Sequence, residues 1–135
     1  MDCLFCKIAQ GEIKGGVVYE DEKVMALLDI QPRALGHTFV IPKEHYTTLL
    51  DLPDNLVESL FLAVKKVAEK VKETVLADGL TIGINQGRAS GQEVDHLHIH
   101  IIPRFKGDRG GSMQSVVSNT PSEKERKIIR EKLIL

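Results

Sequence analysis

Short runs of apolar residues, in alternating or successive positions, occupy the first half of the chain and return near residue 80. Five such runs predict β-strands, because each is short and is bounded by turn-forming residues. They span residues 17–20, 24–30, 37–42, 80–86 and 95–103, and Pro103 closes the last because proline cannot donate to a sheet ladder. Strands this close together favour antiparallel hairpins, since a parallel pair needs a long crossover.

One long segment, residues 53 to about 77, has a different period, with apolar residues three and four positions apart. This spacing predicts an amphipathic helix whose charged residues form a solvated face. Asp51 is the expected N-cap, Pro53 suits the first turn, and Gly79 is the expected stop signal.

Two shorter helices are predicted at the ends of the chain. One covers Leu4–Ala9, and the other begins at Thr120, which forms a capping-box pattern with Glu123. The order of elements indicates an α+β fold: a five-stranded, mostly antiparallel sheet with helices on one face. A length of 135 residues indicates one domain.

The composition excludes several classes of function. A net charge of -1 gives no reason to expect nucleic-acid or membrane binding through bulk charge. No apolar run approaches membrane-spanning length, and "MDCLFCKIAQ" is too polar for a signal peptide, so we expect a cytoplasmic protein.

Three of the five histidines lie at every second position of "DHLHIHII": His96, His98 and His100. On a strand they share one face, and the apolar residues between them share the other. Neighbouring rings then stand roughly 6.5 Å apart along the strand, so three rings of one straight strand do not converge easily on a single tetrahedral ion. A row of histidines can supply a nucleophile, a hydrogen-bond donor to an anion and a partner that sets the nucleophile's tautomer.

Two further stretches carry candidate chemistry, each with a simpler alternative. The loop 85–94, "NQGRASGQEV", is glycine-rich, and its backbone N–H groups could approach an anion, although an ordinary hairpin loop has the same composition. Cys3 and Cys6 have half-site spacing for zinc, and the alternatives are two buried thiols or a redox pair.

Together these stretches resemble the histidine triad (HIT) superfamily. The order His-φ-His-φ-His-φ-φ, with apolar φ, is its signature, and "CLFCKIAQGEI", "VVYEDEKVMALLDIQPRALGHTFVIPKEHY" and "GINQGRASGQEVDHLHIHIIPR" resemble its Hint-like nucleotide-binding branch. The resemblance implies a domain core at 1–105, with 106–135 as part of the same domain or as a dimer contact. It also implies a homodimer that joins two sheets, and a purine nucleotide substrate.

The family resemblance implies hydrolysis of nucleotidyl bonds in phosphoramidates, acyl nucleotides or dinucleoside polyphosphates, through a nucleotidyl-histidine. His98 would be the nucleophile, held by main-chain carbonyl contacts in the required tautomer, and His100 would donate to a phosphate oxygen. His96 completes the catalytic triad. The implied nucleotide-binding residues are Asp29 at the ribose, Ile30 at the base, His37 near the triad, and Asn85, Gly91, Gln92 and Glu93 at the phosphate. Some members have Ser in place of Glu93, so we expect Glu93 to contribute its backbone.

Some prokaryotic-type members of the same branch bind zinc, and the matching residues here are Cys3, Cys6, His45 and His96. Four such ligands make a closed, structural site. We therefore expect a structural zinc and no metal in the chemistry. The alternatives are a purine-nucleotide-binding or scaffold protein with vestigial activity, and an enzyme with catalytic zinc.

Overall fold

The computed structural model describes residues 2–135, and the elements below are those of this range. The helices are α1 (Leu4–Ala9), α2 (Asp54–Val75) and α3 (Glu123–Leu133), and the strands are β1 (Val17–Glu20), β2 (Val24–Leu28), β3 (Thr38–Pro42), β4 (Gly79–Gly83) and β5 (Ile99–Arg104). The strands form one sheet in the order β1-β2-β3-β5-β4, with every neighbouring pair antiparallel. The predicted α+β fold and antiparallel sheet are thus confirmed.

The long helix α2 covers one face of the sheet with its apolar stripe. Leu60, Val64 and Val67 are buried against residues of the central strands, including Val40 and Ile99. Full burial of one such side chain contributes roughly 1.5–3 kcal/mol, so this stripe, rather than helix propensity, holds α2 in place.

The opposite face of the sheet is covered by α1, so the expectation that helices lie on one face only is wrong. Phe5 and Cys6 of α1 pack on Met25, Leu27 and Phe39. Residues 24–27 of β2 and all of β3 are buried, because neighbouring residues face α1 and α2 in turn. In the sequence, a strand that is buried on both faces is a nearly continuous apolar run, and β2 and β3 have this pattern.

The ends of α2 differ from the expected signals. Pro53 is the N-cap, while the carboxylate of Asp51 accepts hydrogen bonds from the backbone N–H and hydroxyl of Thr48, one turn earlier. The helix ends at Val75, its C-cap Leu76 has a left-handed φ of 56°, and Gly79 instead begins β4.

The last two strands are shifted relative to their predicted bounds. β4 ends at Gly83 rather than residue 86, and β5 begins at Ile99 rather than near residue 95. β5 also continues through Pro103, which pairs with Leu80 of β4. Proline is tolerated there because the pairing of β3 with β5 stops at Ile101, so no second neighbour needs the missing N–H.

The C-terminal helix α3 begins two residues later than predicted. Ser122 is its N-cap and forms the capping box with Glu125, in place of Thr120 with Glu123. The observed start places two carboxylates in the first turn, where the helix dipole favours negative charge. No residue of α3 is buried. None of the helices within residues 2–135 is long and apolar enough to cross a membrane.

Candidate functional site

His96 and His98 lie just before β5 and His100 lies within it, all on the sheet face that α1 covers. Leu97 and Ile99, between them, belong to the core beneath α2, so the histidine side chains are directed to the other face. The ring centroids of His98 and His100 are 5.1 Å apart. The side chains therefore alternate between the two faces of the sheet from residue 96 onward, before the first hydrogen-bonded residue of β5. This alternation places the three rings in one row.

His98 is held in a single tautomer by the backbone. Its Nδ1 lies 2.7 Å from the carbonyl oxygen of His96, and because a carbonyl can only accept, Nδ1 carries the proton of the neutral ring. Nε2 then has a free lone pair. Phe5 and Phe39 pack edge-on against the ring, with centroids 5.3 and 5.9 Å away, and restrict its rotation.

His100 belongs to a cluster with His37 and Asp29. His37 Nε2 lies 3.0 Å from His100 Nδ1, and Asp29 Oδ2 lies 3.5 Å from the former atom and 3.9 Å from the latter. Burial, followed by the nearby rings of His98 and His37, lowers the pKa of His100 to about 4. Burial also lowers the pKa of His37. Both rings are accordingly neutral at pH 7.

Acid should destabilise the folded protein through His100. Its pKa is about 4 in the folded chain and near 6.5 when unfolded, so between these values the unfolded chain binds more protons. The contribution, on the order of 3 kcal/mol at about 1.4 kcal/mol per pKa unit, is complete above pH 6.5 and is lost as the pH falls to about 4. Urea unfolding at a series of pH values should show this loss, and a smaller one in His100→Gln. If the native protein and His100→Gln lost the same free energy of unfolding in acid, the attribution of this loss to His100 would be wrong.

A second group of side chains joins the N-terminus to the sheet: Cys3, Cys6, His45 and His96. His96 Nδ1 lies 3.4 Å from Cys3 Sγ and 3.5 Å from Cys6 Sγ, and His45 Nδ1 lies 3.3 Å from Cys6 Sγ. One ligand atom from each residue falls within 4.8 Å of all the others. Around a tetrahedral zinc, bonds of about 2.3 Å to sulfur and about 2.0–2.1 Å to nitrogen place these ligands about 3.6 Å apart. The four residues fit a zinc ion.

The hydrogen bonds around this cluster also suit a metal. His96 Nε2 donates to the carbonyl oxygen of Pro42 at 2.8 Å, which leaves the Nδ1 lone pair directed at the sulfurs. Such a second hydrogen bond is usual for a metal-binding histidine. Burial, and then the neighbouring Cys3, raises the pKa of the Cys6 thiol to about 11, so a pair of thiolates here needs a cation. Both cysteines are buried free thiols.

The loop 85–94 is fixed by side chains that point into it. The Gln92 amide, which is buried, donates to the carbonyls of Thr47 and Val94 and accepts from the Gly87 N–H. The Arg88 guanidinium donates to the carbonyls of Gln92 and Glu93. The backbone N–H of Gln92 donates to the Gly87 carbonyl, so both its side chain and its N–H have a structural role in the loop.

The other predicted nucleotide-binding residues lie at the surface. Ile30 is 88% exposed, and Asn85, Gly91 and Glu93 are exposed. Gly91 has a φ of 93°, a conformation that favours glycine. Asp29 is held by the Gln31 N–H, which donates to its Oδ1 at 2.9 Å. Within residues 2–135, the hydrogen bonds and ion pairs join Asp29 and His37 to the triad, and none joins Ile30, Asn85, Gly91 or Glu93 to it.

Three contributors to the site were not predicted from the sequence: Phe5, Phe39 and the carbonyl of Pro42. The two phenylalanine rings stack at 4.8 Å and form the wall beside His98. The signal for Phe5 was its place between the cysteines, because a helix that directs both sulfurs to His96 also carries Phe5 to the histidines. Phe39 and Pro42 had no comparable signal, since both lie in an ordinary apolar strand.

Comparison with known proteins identifies the family of this chain. Residues 10–107 match the HIT domain family. An uncharacterized HIT-like protein of Methanocaldococcus jannaschii is 52% identical over 106 residues, covering 78% of this chain and 81% of that protein. An adenylylsulfatase of Arabidopsis thaliana is 38% identical over 107 residues, covering 79% of this chain and 54% of the plant protein. A crystal structure of a zinc-bound histidine triad family protein from Mycobacterium smegmatis has 37% identity and a TM-score of 0.77, and the superposition covers 93% of this chain and 87% of that one. The chain therefore belongs to the HIT, or histidine triad, family.

Proposed function

We propose that this protein is a nucleotide-binding hydrolase that cleaves nucleoside 5′-phosphoramidates or related nucleotidyl compounds, including dinucleoside polyphosphates, and releases a nucleoside monophosphate. The observation that carries the proposal is the hydrogen bond from His98 Nδ1 to the His96 carbonyl, which leaves a nucleophilic Nε2 beside a second imidazole, His100. The similarity to an adenylylsulfatase supports a substrate with a leaving group on an adenylyl phosphorus.

The reaction proceeds in two displacements at the α-phosphorus. His98 Nε2 attacks, the N–P bond forms, and the bond to the leaving group breaks with its electron pair on that group, which then takes up a proton. Water attacks the nucleotidyl-histidine, the N–P bond breaks, and the monophosphate departs while the water proton is released. A neutral imidazole suits both steps, because it is a good nucleophile and a good leaving group. His100 donates to a non-bridging oxygen and stabilises the charge that develops there.

The nucleotide lies between Asp29 and the loop 85–94. Asp29 accepts from the ribose hydroxyls, and the exposed Ile30 packs on the base. Glu93 contributes its backbone N–H to the phosphate, while its carboxylate is turned to solvent, where it does not repel the anion. Asn85 and Gly91 complete the phosphate end.

Steady-state assays on a panel of substrates test the proposal. The panel consists of an AMP phosphoramidate, an adenylyl sulfate and diadenosine polyphosphates, with guanosine counterparts, and is scored by kcat/KM. Release of a nucleoside monophosphate from at least one compound is expected. Tight AMP binding with no turnover of any compound would instead favour a nucleotide-binding or scaffold protein.

Zinc, in this proposal, is structural. Cys3, Cys6, His45 and His96 would hold it, and the ion would tie α1 to the segment before β5, whose His96 is hydrogen-bonded to the end of β3 at Pro42. The zinc-bound relative supports the identity of the metal. His98 and His100 stay free for the nucleotide, so the ion supplies stability and no chemistry.

Homodimerisation is also proposed, through the free edge of β4. Beside that edge, a cavity of about 430 Å³ between α2 and β4 has an apolar lining that includes Phe61, Leu80 and Ile82. Exposed apolar surface next to an unpaired strand favours association. Sedimentation should give twice the mass of the chain. Ile82→Glu should give a monomer, whereas Val18→Glu, an exposed position on the other edge strand, should not; a monomeric native protein would contradict the proposal.

A further inference from the structure

The side chain of Arg88 crosses the second half of the loop 85–94, just before the histidines. Its Nη1 donates to the carbonyl oxygens of Gln92 at 2.7 Å and Glu93 at 2.8 Å, and its Nη2 lies 2.8 Å from the carboxylate of Asp95. A terminal guanidinium nitrogen carries two N–H groups, so the two carbonyls use both N–H groups of Nη1. This nitrogen is therefore engaged within the loop and is not a donor to a ligand.

These bonds orient two successive peptide groups. Residues 2–135 contain no cis peptide bond, and in a trans peptide group the N–H points away from the C=O. The N–H that shares a peptide group with the Gln92 carbonyl belongs to Glu93, and the next one belongs to Val94. Because both carbonyls point to one nitrogen atom, the two N–H groups point the opposite way and are roughly parallel.

The other amides of this part of the loop are already paired. The N–H groups of residues 90–92 donate to carbonyls of residues 87 and 88. The N–H groups of Glu93 and Val94, by contrast, have no hydrogen-bond acceptor within residues 2–135. The two amides that Arg88 orients are therefore available to a ligand.

The Glu93 and Val94 amides lie on the side of the loop that faces the histidines. The side chain of Arg88 is 65% exposed, so the direction opposite to it leads inward. Val94 packs on the cluster that contains Phe5 and Phe39, whose rings flank His98. Successive N–H groups that point the same way form a binding place for an anion.

We propose that Arg88 is a positioning residue: by holding two successive carbonyls of the loop, it directs the backbone N–H groups of Glu93 and Val94 at the phosphate of the nucleotide. The inference rests on the proposed function for its consequence in catalysis. Donors that are oriented in advance stabilise the charge that develops on the phosphate oxygens. Without Arg88, the two peptide groups can rotate toward solvent.

A second explanation is that Arg88 attracts the phosphate through its charge alone. The ion pair with Asp95 argues against it, because a carboxylate at 2.8 Å offsets much of the field of the guanidinium. The two explanations differ in what they predict for Asp95→Asn. Loss of the carboxylate would strengthen an effect of charge, whereas it leaves both hydrogen bonds of Nη1 in place.

The orientation of the two amides can be measured without turnover. In ¹⁵N-labelled, zinc-loaded protein saturated with AMP, couplings between an amide nitrogen and phosphorus across a hydrogen bond identify the amides that donate to the phosphate. We expect such couplings at Glu93 and Val94. They should be lost or weakened in Arg88→Met and kept in Asp95→Asn. They should return in part in Arg88→Lys, whose ammonium can donate to both carbonyls but lies on a shorter side chain.

Kinetics supply the second measurement. We expect kcat for an AMP phosphoramidate to fall about 10-fold or more in Arg88→Met, with a smaller rise in KM, because oriented donors act mainly on the transition state. Arg88→Lys should recover part of kcat. Asp95→Asn is the matched control and should keep kcat and KM within about 2-fold of the native values. If Arg88→Met does not fold, as judged from its Tm, the same comparisons are made with Arg88→Lys.

The outcomes separate the two proposals. Absence of couplings at the two amides in the native complex, or unchanged couplings in Arg88→Met, overturns the role of Arg88 whatever the activity. Opposite changes of KM in Arg88→Met and Asp95→Asn would show an effect of charge and would overturn it as well. Native couplings that are lost in Arg88→Met, in a protein that turns over no nucleotidyl compound, leave this role intact and overturn the hydrolase. A native protein that binds no AMP overturns both.

Discussion

Replacing His98 by alanine is expected to lower kcat/KM for nucleotidyl substrates by about four orders of magnitude or more. The variant has no lone pair at the α-phosphorus, and the remaining donors cannot divide the displacement into two steps. The acid-sensitive nucleotidyl-histidine can be measured independently. Rapid quenching of the native protein during turnover should trap one nucleotidyl group per site. His98→Ala should trap none.

Two controls keep this experiment informative. His98→Ala should bind AMP and melt within a few degrees of the native protein, because the pocket beside Phe5 and Phe39 stays apolar. Glu58→Ala, on the exposed face of α2, should retain full turnover. Equal turnover by the native protein and His98→Ala would exclude the nucleotidyl-histidine.

Zinc removal is expected to have the largest effect on stability. A ligand present at 100 to 1,000 times its Kd stabilises a fold by about 2.7–4.1 kcal/mol. At about 4 °C per kcal/mol for a chain of this size, the Tm should fall by about 11–16 °C on chelation. Elemental analysis should find one zinc per chain in the native protein and none in Cys6→Ser.

Cys6→Ser separates the loss of metal from the loss of packing. Its Tm should be low and insensitive to added zinc or chelator, whereas the native Tm should respond to both. Turnover per folded molecule should persist in chelated native protein below its melting temperature. Loss of turnover with an unchanged Tm would point instead to a catalytic zinc.

Much of the fold follows from local patterns. The long helix was predicted from its apolar spacing, and the strands from short apolar runs, because burial of one face imposes a period on the side chains. Element ends were less predictable. Capping signals compete over a few residues: Ser122 replaced Thr120, and Asp51 bonded to Thr48 instead of α2, because each carboxylate or hydroxyl has several backbone donors within reach.

For the site, the sequence indicated which polar side chains are present more reliably than it indicated what each of them contacts. Gln92 is an example, since its position in a glycine-rich loop suggested a contact with phosphate. The fold buries its amide among three backbone groups, because an unsatisfied buried carbonyl or N–H costs about 1–3 kcal/mol. Satisfying those groups took precedence over exposing the side chain to a ligand.

The sequence by itself determined which residues alternate, and so that His96, His98 and His100 share a face while their neighbours enter the core. It also determined the family, through that alternation and the stretches around it. The tertiary structure alone decided which residues each ring contacts. His96 meets cysteines 93 and 90 positions away, and His100 meets His37 across 63 positions. Such pairings depend on strand order, register and the docking of α1, which are set by the packing of the whole sheet and not by any local period.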